Sequence, residues 1–261
     1  MICGMTYFQI CLYFLVYSFG GWVVEVIFHA VTLGKVINRG FLNGPVCPVY
    51  GFGVLSVFAM LNTLQSGGHQ MGDGMIFIFG IVLATAVELV AGWLLDVCFH
   101  ARWWDYSDKK FNINGRVCLI GAIVFGLFCV LLIKVINPVV TGYISVIPKL
   151  ALDIAVIFFL IGYAIDNIIT FSAVAKLDDK LRELKEVLEE KRESVAKTVS
   201  SYKEEAIEKI KSYMPETPIY KALTKALSMQ NKRIIKAFPR LKSTRYNEAL
   251  AELREFINRK R

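Results

Sequence analysis

The sequence predicts an all-α fold: a polytopic membrane helical bundle of five transmembrane helices, made of a tandem two-helix repeat plus one further span, followed by a cytoplasmic helical tail. Three observations lead there. The 261-residue chain is 55% hydrophobic with a mean hydropathy of +0.50, yet its formal net charge is +8. That charge is unevenly spread: residues 1–174 hold eight Lys or Arg against eight Asp or Glu, and residues 175–261 hold 22 against 14. Third, Gly21-Trp22-Val23-Val24-Glu25-Val26-Ile27-Phe28-His29-Ala30 recurs 71 residues later as Gly92-Trp93-Leu94-Leu95-Asp96-Val97-Cys98-Phe99-His100-Ala101. Asn43-Gly44-Pro45-Val46-Cys47 recurs at the same offset as Asn114-Gly115-Arg116-Val117-Cys118. Duplications of this kind underlie many membrane transport folds.

The apolar segments fall at about Thr6–Thr32, Val46–Leu64, Met75–His100, Val117–Ile136 and Leu150–Ala175. Each has close to the roughly 20 residues needed to cross about 30 Å of hydrocarbon. The first lacks a basic leader and contains Glu25 and His29, so it reads as a span rather than a signal peptide. Repeat one is then about 6–64, repeat two about 75–136, and the fifth span about 150–175. Together they form a transmembrane domain over 1–175, with the basic helical tail over 176–261.

Loop charges orient these segments. Lys35 and Arg39 lie in the first loop and Arg102, Lys109, Lys110 and Arg116 in the third, whereas the second loop, 65–74, has no Lys or Arg. By the positive-inside rule, loops one and three and the tail face the cytoplasm of a bacterial cell, with the N-terminus outside the inner membrane.

Both repeats place polar side chains alike. Trp22, Glu25 and His29 share one helix face, as do Trp93, Asp96 and His100. Asn43 and Asn114 are expected to open the second and fourth spans on the N-cap side. An ionised group at mid-membrane costs at least about 2.5 kcal/mol, so Glu25, Glu88, Asp96 and Asp166 should face the bundle interior or a cavity. Two readings stand side by side. In one, Glu25, His29, Asp96 and His100 converge on a cytoplasm-facing site for a polar or ionic substrate, with Asn43 and Asn114 shaping its loops. In the other, Glu25–His29 and Asp96–His100 are hydrogen-bonded pairs that lock helix packing. A zinc-like site with Cys47 and Cys118 matches no established spacing, so no metal and no cofactor is expected. The six cysteines otherwise read as small buried hydrophobes. No nucleophile with an adjacent base is apparent, which argues against an enzyme.

The third loop reads Arg102-Trp103-Trp104-Asp105-Tyr106, either an interfacial aromatic belt or, with its interleaved charges, a gate or docking surface. In the tail, Leu181, Leu184, Leu188 and Val195 follow heptad spacing up to a slip after Tyr202, which suits packing on a partner or a second copy. Pro215 and Pro218 should end that helix. Beyond them, Tyr220, Leu223, Leu227, Ile234 and Phe238, flanked by Lys221, Lys225, Lys232 and Lys236, form a basic amphipathic stripe suited to anionic inner-leaflet lipids. RNA binding and a merely solvated helix are the alternatives.

The strings FGGWVVEVIF, NRGFLNGPVCPVYGFG and FHARWWDYSDKKFNINGRVCL resemble a family of bacterial integral membrane proteins, the CmpB-like type IV ABC-transporter permeases, over about residues 7–138. The resemblance implies a permease subunit. The chain contains no G-x-x-x-x-G-K-[ST], so an ATPase would be a separate subunit. A homodimer or second membrane subunit is expected because four repeat spans make a small bundle. The rival reading is a membrane scaffold or regulatory protein acting through its tail.

Overall fold

The computed structural model describes residues 5–34, 36–66, 71–199 and 229–259, and the chain is mostly helical. Helices α1 (Tyr7–Leu33), α2 (Pro48–Ser66) and α3 (Asp73–Phe99) are followed by strand β1 (Ala101–Arg102) and a hairpin of β2 (Asn112–Ile113) and β3 (Val117–Cys118). Next come α4 (Leu119–Leu131), a π-helical turn (Leu132–Ile136), α5 (Asn137–Val146) and α6 (Lys149–Val199). The tail contributes α7 (Met229–Ala237), β4 (Lys242–Ser243) and α8 (Asn247–Arg259). Two compact units result: Met1–Leu94 with Trp104–Thr170, and Leu95–Trp103 with Phe171–Arg261.

Among the described residues, four apolar stretches are long enough to cross a membrane: Tyr7–Thr32, Asp73–Phe99, Leu119–Val146 and the first part of Lys149–Glu190. The 19-residue α2 is not among them, because Tyr50, Ser56, Asn62, Thr63 and Gln65 dilute its hydropathy. It compensates by packing. Val54, Val57, Phe58 and Leu61 are buried against α1 and α4 in the first unit. At the α1–α2 contact only glycine fits position 51, since a Cβ there would meet the Ser18 hydroxyl and the Phe14 ring.

Local chemistry sets the helix ends. Thr6 and Gln9 form a capping box at the start of α1, and Gly34 ends it at φ 64°. The fourth apolar segment runs past its expected end at Ile136. Pro138 cannot donate a backbone hydrogen bond, and the π turn widens the helix just before it, so the helix continues to Val146. The Tyr17 hydroxyl donates to Asn137 Oδ1 there at 2.7 Å.

Asn114 and Gly115 stand at φ 50° and 68°, the left-handed pair of a type I′ hairpin turn, and Arg116 N–H closes the turn on the Ile113 carbonyl at 3.0 Å. This corrects the expected helix-capping role. Asn43 and Asn114 each lie five residues before a helix start, and Cys118, at the N-cap position of α4, makes no side-chain cap.

In the second unit, β4 pairs antiparallel with β1, Ala101 opposite Ser243 and Arg102 opposite Lys242. The Thr244 N–H and hydroxyl both donate to the His100 carbonyl at 2.8 Å, satisfying an acceptor at the end of α3. Trp103 is 3% exposed and packs edge-on against Phe99 and Phe238. Leu177, Leu181 and Leu184 of the expected heptad are buried in this same unit, as are Ile234, Leu250 and Leu253. The first part of the heptad stripe is therefore covered from within the chain, while Leu188 is half-buried. Ile234 and Phe238, expected on a lipid-facing stripe, are buried too. The slip after Tyr202, Pro215, Pro218, and the stripe from Tyr220 to Leu227 lie outside the described residues.

Candidate functional site

Three carboxylates inside the apolar helices of the first unit, Glu25, Glu88 and Asp166, are engaged by a loop or by α2. Glu25 accepts the Tyr50 hydroxyl at 2.7 Å, and its other oxygen lies 3.9 Å from Arg39 Nε. Glu88 is 8% exposed and bonded by the Tyr106 hydroxyl. Asp166 accepts the backbone N–H of Asn43 at 3.0 Å, its side-chain amide at 2.8 Å, the Gly44 N–H at 2.7 Å and the Thr170 hydroxyl at 3.1 Å. That many donors can hold a carboxylate ionised in a non-aqueous setting.

The first loop is folded around these anchors. The Trp22 indole donates to Asn38 Oδ1 at 2.8 Å, and the Asn38 amide donates to the Asn43 carbonyl at 2.8 Å. Cys47 N–H reaches back to the Ser18 carbonyl at 2.9 Å. Burial pulls the Arg39 guanidinium below its ordinary range, against the neighbouring Glu25 charge. Burial, with the Glu88 and Glu25 charges behind it, pushes the Tyr106 hydroxyl upward, so Tyr106 remains a proton donor at any physiological pH.

His29, one turn beyond Glu25, is 9% exposed, and neither ring nitrogen meets a hydrogen-bond partner among the described residues. The Glu25 oxygens face Tyr50 and Arg39 instead. The within-helix Glu25–His29 hydrogen bond is thus not formed. Two buried ring nitrogens without partners are costly, about 1–3 kcal/mol each. A ligand that approached them would remove that cost.

A second feature lies beside this cluster. Tyr50 and Glu88 border a cavity of about 60 Å³ whose other walls, including Val54, Val87, Phe125 and Leu132, are mostly apolar. It has room for water against the Glu88 carboxylate. The Glu25 and Glu88 charges both act on the Tyr106 hydroxyl, so these groups form one electrostatic cluster: two carboxylates, one guanidinium and two phenols.

The second unit holds the matched pair. Asp96 lies 3.6 Å from Arg102 Nε, so both repeat carboxylates pair with an arginine from the loop that follows. His100 stands at φ 49° beyond the end of α3, whereas its counterpart His29 is inside α1. In the third loop, Trp103 belongs to the second unit, while the Trp104 indole donates to the Arg116 carbonyl at 2.8 Å in the first. Asp105 accepts from the Ser107 N–H and hydroxyl. Among the described residues no three His, Cys, Asp or Glu side chains gather as a metal site would require.

Sequence reasoning flagged Glu88 and Asp166 as costly but did not place them in the site; it took Tyr106 only as part of an aromatic loop and overlooked Tyr50. A tyrosine near a helix end gives little signal by itself. The unused cue was pairing: each in-membrane carboxylate needs a donor, and few donors were available to each.

The family model described as "Putative ABC-transporter type IV" matches residues 12–171. The chain belongs to this family. The match takes in Glu25, His29, Asn43, Glu88, Asp96, Asn114 and Asp166 and stops before the tail. With its four membrane-length apolar helices, this type IV ABC-transporter family member is a membrane protein, and its family is one of transporters rather than enzymes. No curated protein and no solved structure matches this type IV transporter chain.

Proposed function

We propose that the chain is the permease subunit of an inner-membrane transporter, binding or moving a small polar or ionic substrate. The observation that carries this reading is His29: a buried imidazole with both nitrogens unpartnered, beside a carboxylate already paired with Arg39. In this reading α2 completes five spans, and Asp96 and His100 act together with Glu25 and His29 in handling the substrate. The N-terminus lies outside and the tail in the cytoplasm. A separate ATPase and a second membrane subunit, or a second copy of the chain, complete the machine.

The test is purification of the intact protein from membranes with its stable partners. An ATP-hydrolysing subunit at equal stoichiometry is expected. Its activity should fall in Glu25→Gln and His29→Leu variants that melt at the wild-type temperature. Unchanged hydrolysis in both variants would remove the site from the mechanism. The scaffold reading gains weight from the strand pairing that ties the tail to β1. It predicts no ATPase, and loss of function on deleting 176–261 alone.

A further inference from the structure

The β1–β4 pairing fixes the tail's depth relative to the membrane. Strand β1 begins two residues after the end of α3, a helix of membrane length. Paired strands lie about 4.8 Å apart. Thr244 is closer still, with two hydrogen bonds on the His100 carbonyl. Leu241, Ser243 and Leu250 line a small cavity together with Phe99 and Val174, which stand at the water-side ends of α3 and of the apolar part of α6. The turn leading into β4 is therefore held where the apolar helix ends, the level of lipid headgroups.

The side chains on that turn are cationic and exposed. Lys236, Arg240, Lys242 and Arg245 all face solvent within ten residues, and the acids of this segment, Glu248, Glu252 and Glu255, begin only in α8. The apolar residues between the cations point inward: Ile234, Phe238 and Leu241 are buried. Apart from Pro239, the apolar residues of this turn are buried, so its contact with a membrane is chiefly by charge.

We infer that the turn from Lys236 to Arg245 is a binding site for the phosphate headgroups of anionic lipids, docking the tail against the membrane surface. A juxtamembrane cation gains about fivefold in affinity at an anionic surface, and the gain is lost on screening. This inference stands independently of what the first unit transports.

The experiment uses full-length protein in non-ionic detergent, titrated with short-chain phosphatidylglycerol, phosphatidylcholine and inorganic phosphate, with thermal unfolding as the readout. Phosphatidylglycerol should give a saturable shift, and the other two none. Arg240→Gln, Lys242→Gln and Arg245→Gln combined should weaken the phosphatidylglycerol response on the order of a hundredfold, from about fivefold per cation. Arg182→Gln with Lys185→Gln, farther along α6, should leave it unchanged. Raising salt from about 0.05 to about 0.5 M should abolish the shift. If the triple variant loses its folded tail by circular dichroism, the single change Lys242→Glu is scored instead and should weaken the response more than tenfold. Equal response to phosphatidylcholine, retention of the response in the scored turn variant, or equal loss in the α6 control would overturn the proposal. A matching response to inorganic phosphate alone would do so as well, by assigning the site to a soluble anion.

Discussion

Asp166 holds Asn43 twice, through its backbone N–H at 3.0 Å and its side-chain amide at 2.8 Å, although 123 residues separate them. Their contact fastens the first loop to α6, and Gly44 and Thr170 complete it. Asparagine at 166 would offer one acceptor oxygen in place of two and turn an N–H toward a donor. Asp166→Asn should therefore cost about 2–3 kcal/mol, the range for leaving buried donors unmade. Thr170→Val, which removes one hydroxyl, should cost about 1 kcal/mol. Thermal and denaturant unfolding in detergent measures both, and equal losses would mean that Asp166 does not organise the loop.

Trp103 and Phe238, with ring centroids 5.0 Å apart, predict a different loss. Trp103→Ala should destabilise the second unit by about 3–5 kcal/mol. Hydrogen exchange should rise first at Leu250 and Leu253, while the Tyr17–Phe58 core keeps its protection. Trp104→Phe removes only the bond to the Arg116 carbonyl and should cost about 1 kcal/mol. Protection unchanged at Leu250 in the Trp103 variant would rule out this anchoring.

These two cases separate what the chain announces from what it conceals. The long apolar runs were readable because a helix in lipid must be apolar over its whole length, and their boundaries fall within a few residues of expectation. The exceptions are the fourth, where the π turn absorbs Pro138, and the fifth, whose helix continues to Val199 beyond its apolar part. Asn114-Gly115 has the composition of a tight hairpin turn, yet its counterpart Asn43-Gly44 binds Asp166, so identical residues at matched positions serve different neighbours. Glu25 and His29 stood out as polar residues on an apolar face. Their partners did not, because Tyr50 and Arg39 come from elements whose approach depends on packing rather than on any period. The β1–β4 pair joins two short segments with no strand signature.

Joint action of the two repeat carboxylates is the prediction most directly tied to transport. Glu25→Gln and Asp96→Asn should each impair function with the fold intact, and the double change should be little worse than either. Residues acting as a unit are strongly non-additive, whereas separate sites add to within about 0.5 kcal/mol. Function per folded molecule, by growth complementation or hydrolysis by the co-purified ATPase, is the measure. A fully additive double variant with normal stability would mean two independent sites.

Orientation has its own test. In a cysteine-free background, Lys109→Cys should react with an impermeant thiol reagent only after the membrane is opened. Gln65→Cys should react in intact cells. Equal labelling of both from outside would refute the five-span arrangement.

The hydrogen bonds from Thr244 to His100 span 144 positions of sequence. A ribosome adds roughly 5–20 residues per second, so α3 waits on the order of ten seconds for the residue that completes its end. Until then Trp103 lacks its Phe238 neighbour and β1 is an unpaired edge. Residues 238–244 thus complete the packing at the end of α3 well after α3 itself is made. A copy cut short before residue 238 leaves Trp103 with Phe99 but without its edge-on Phe238 neighbour.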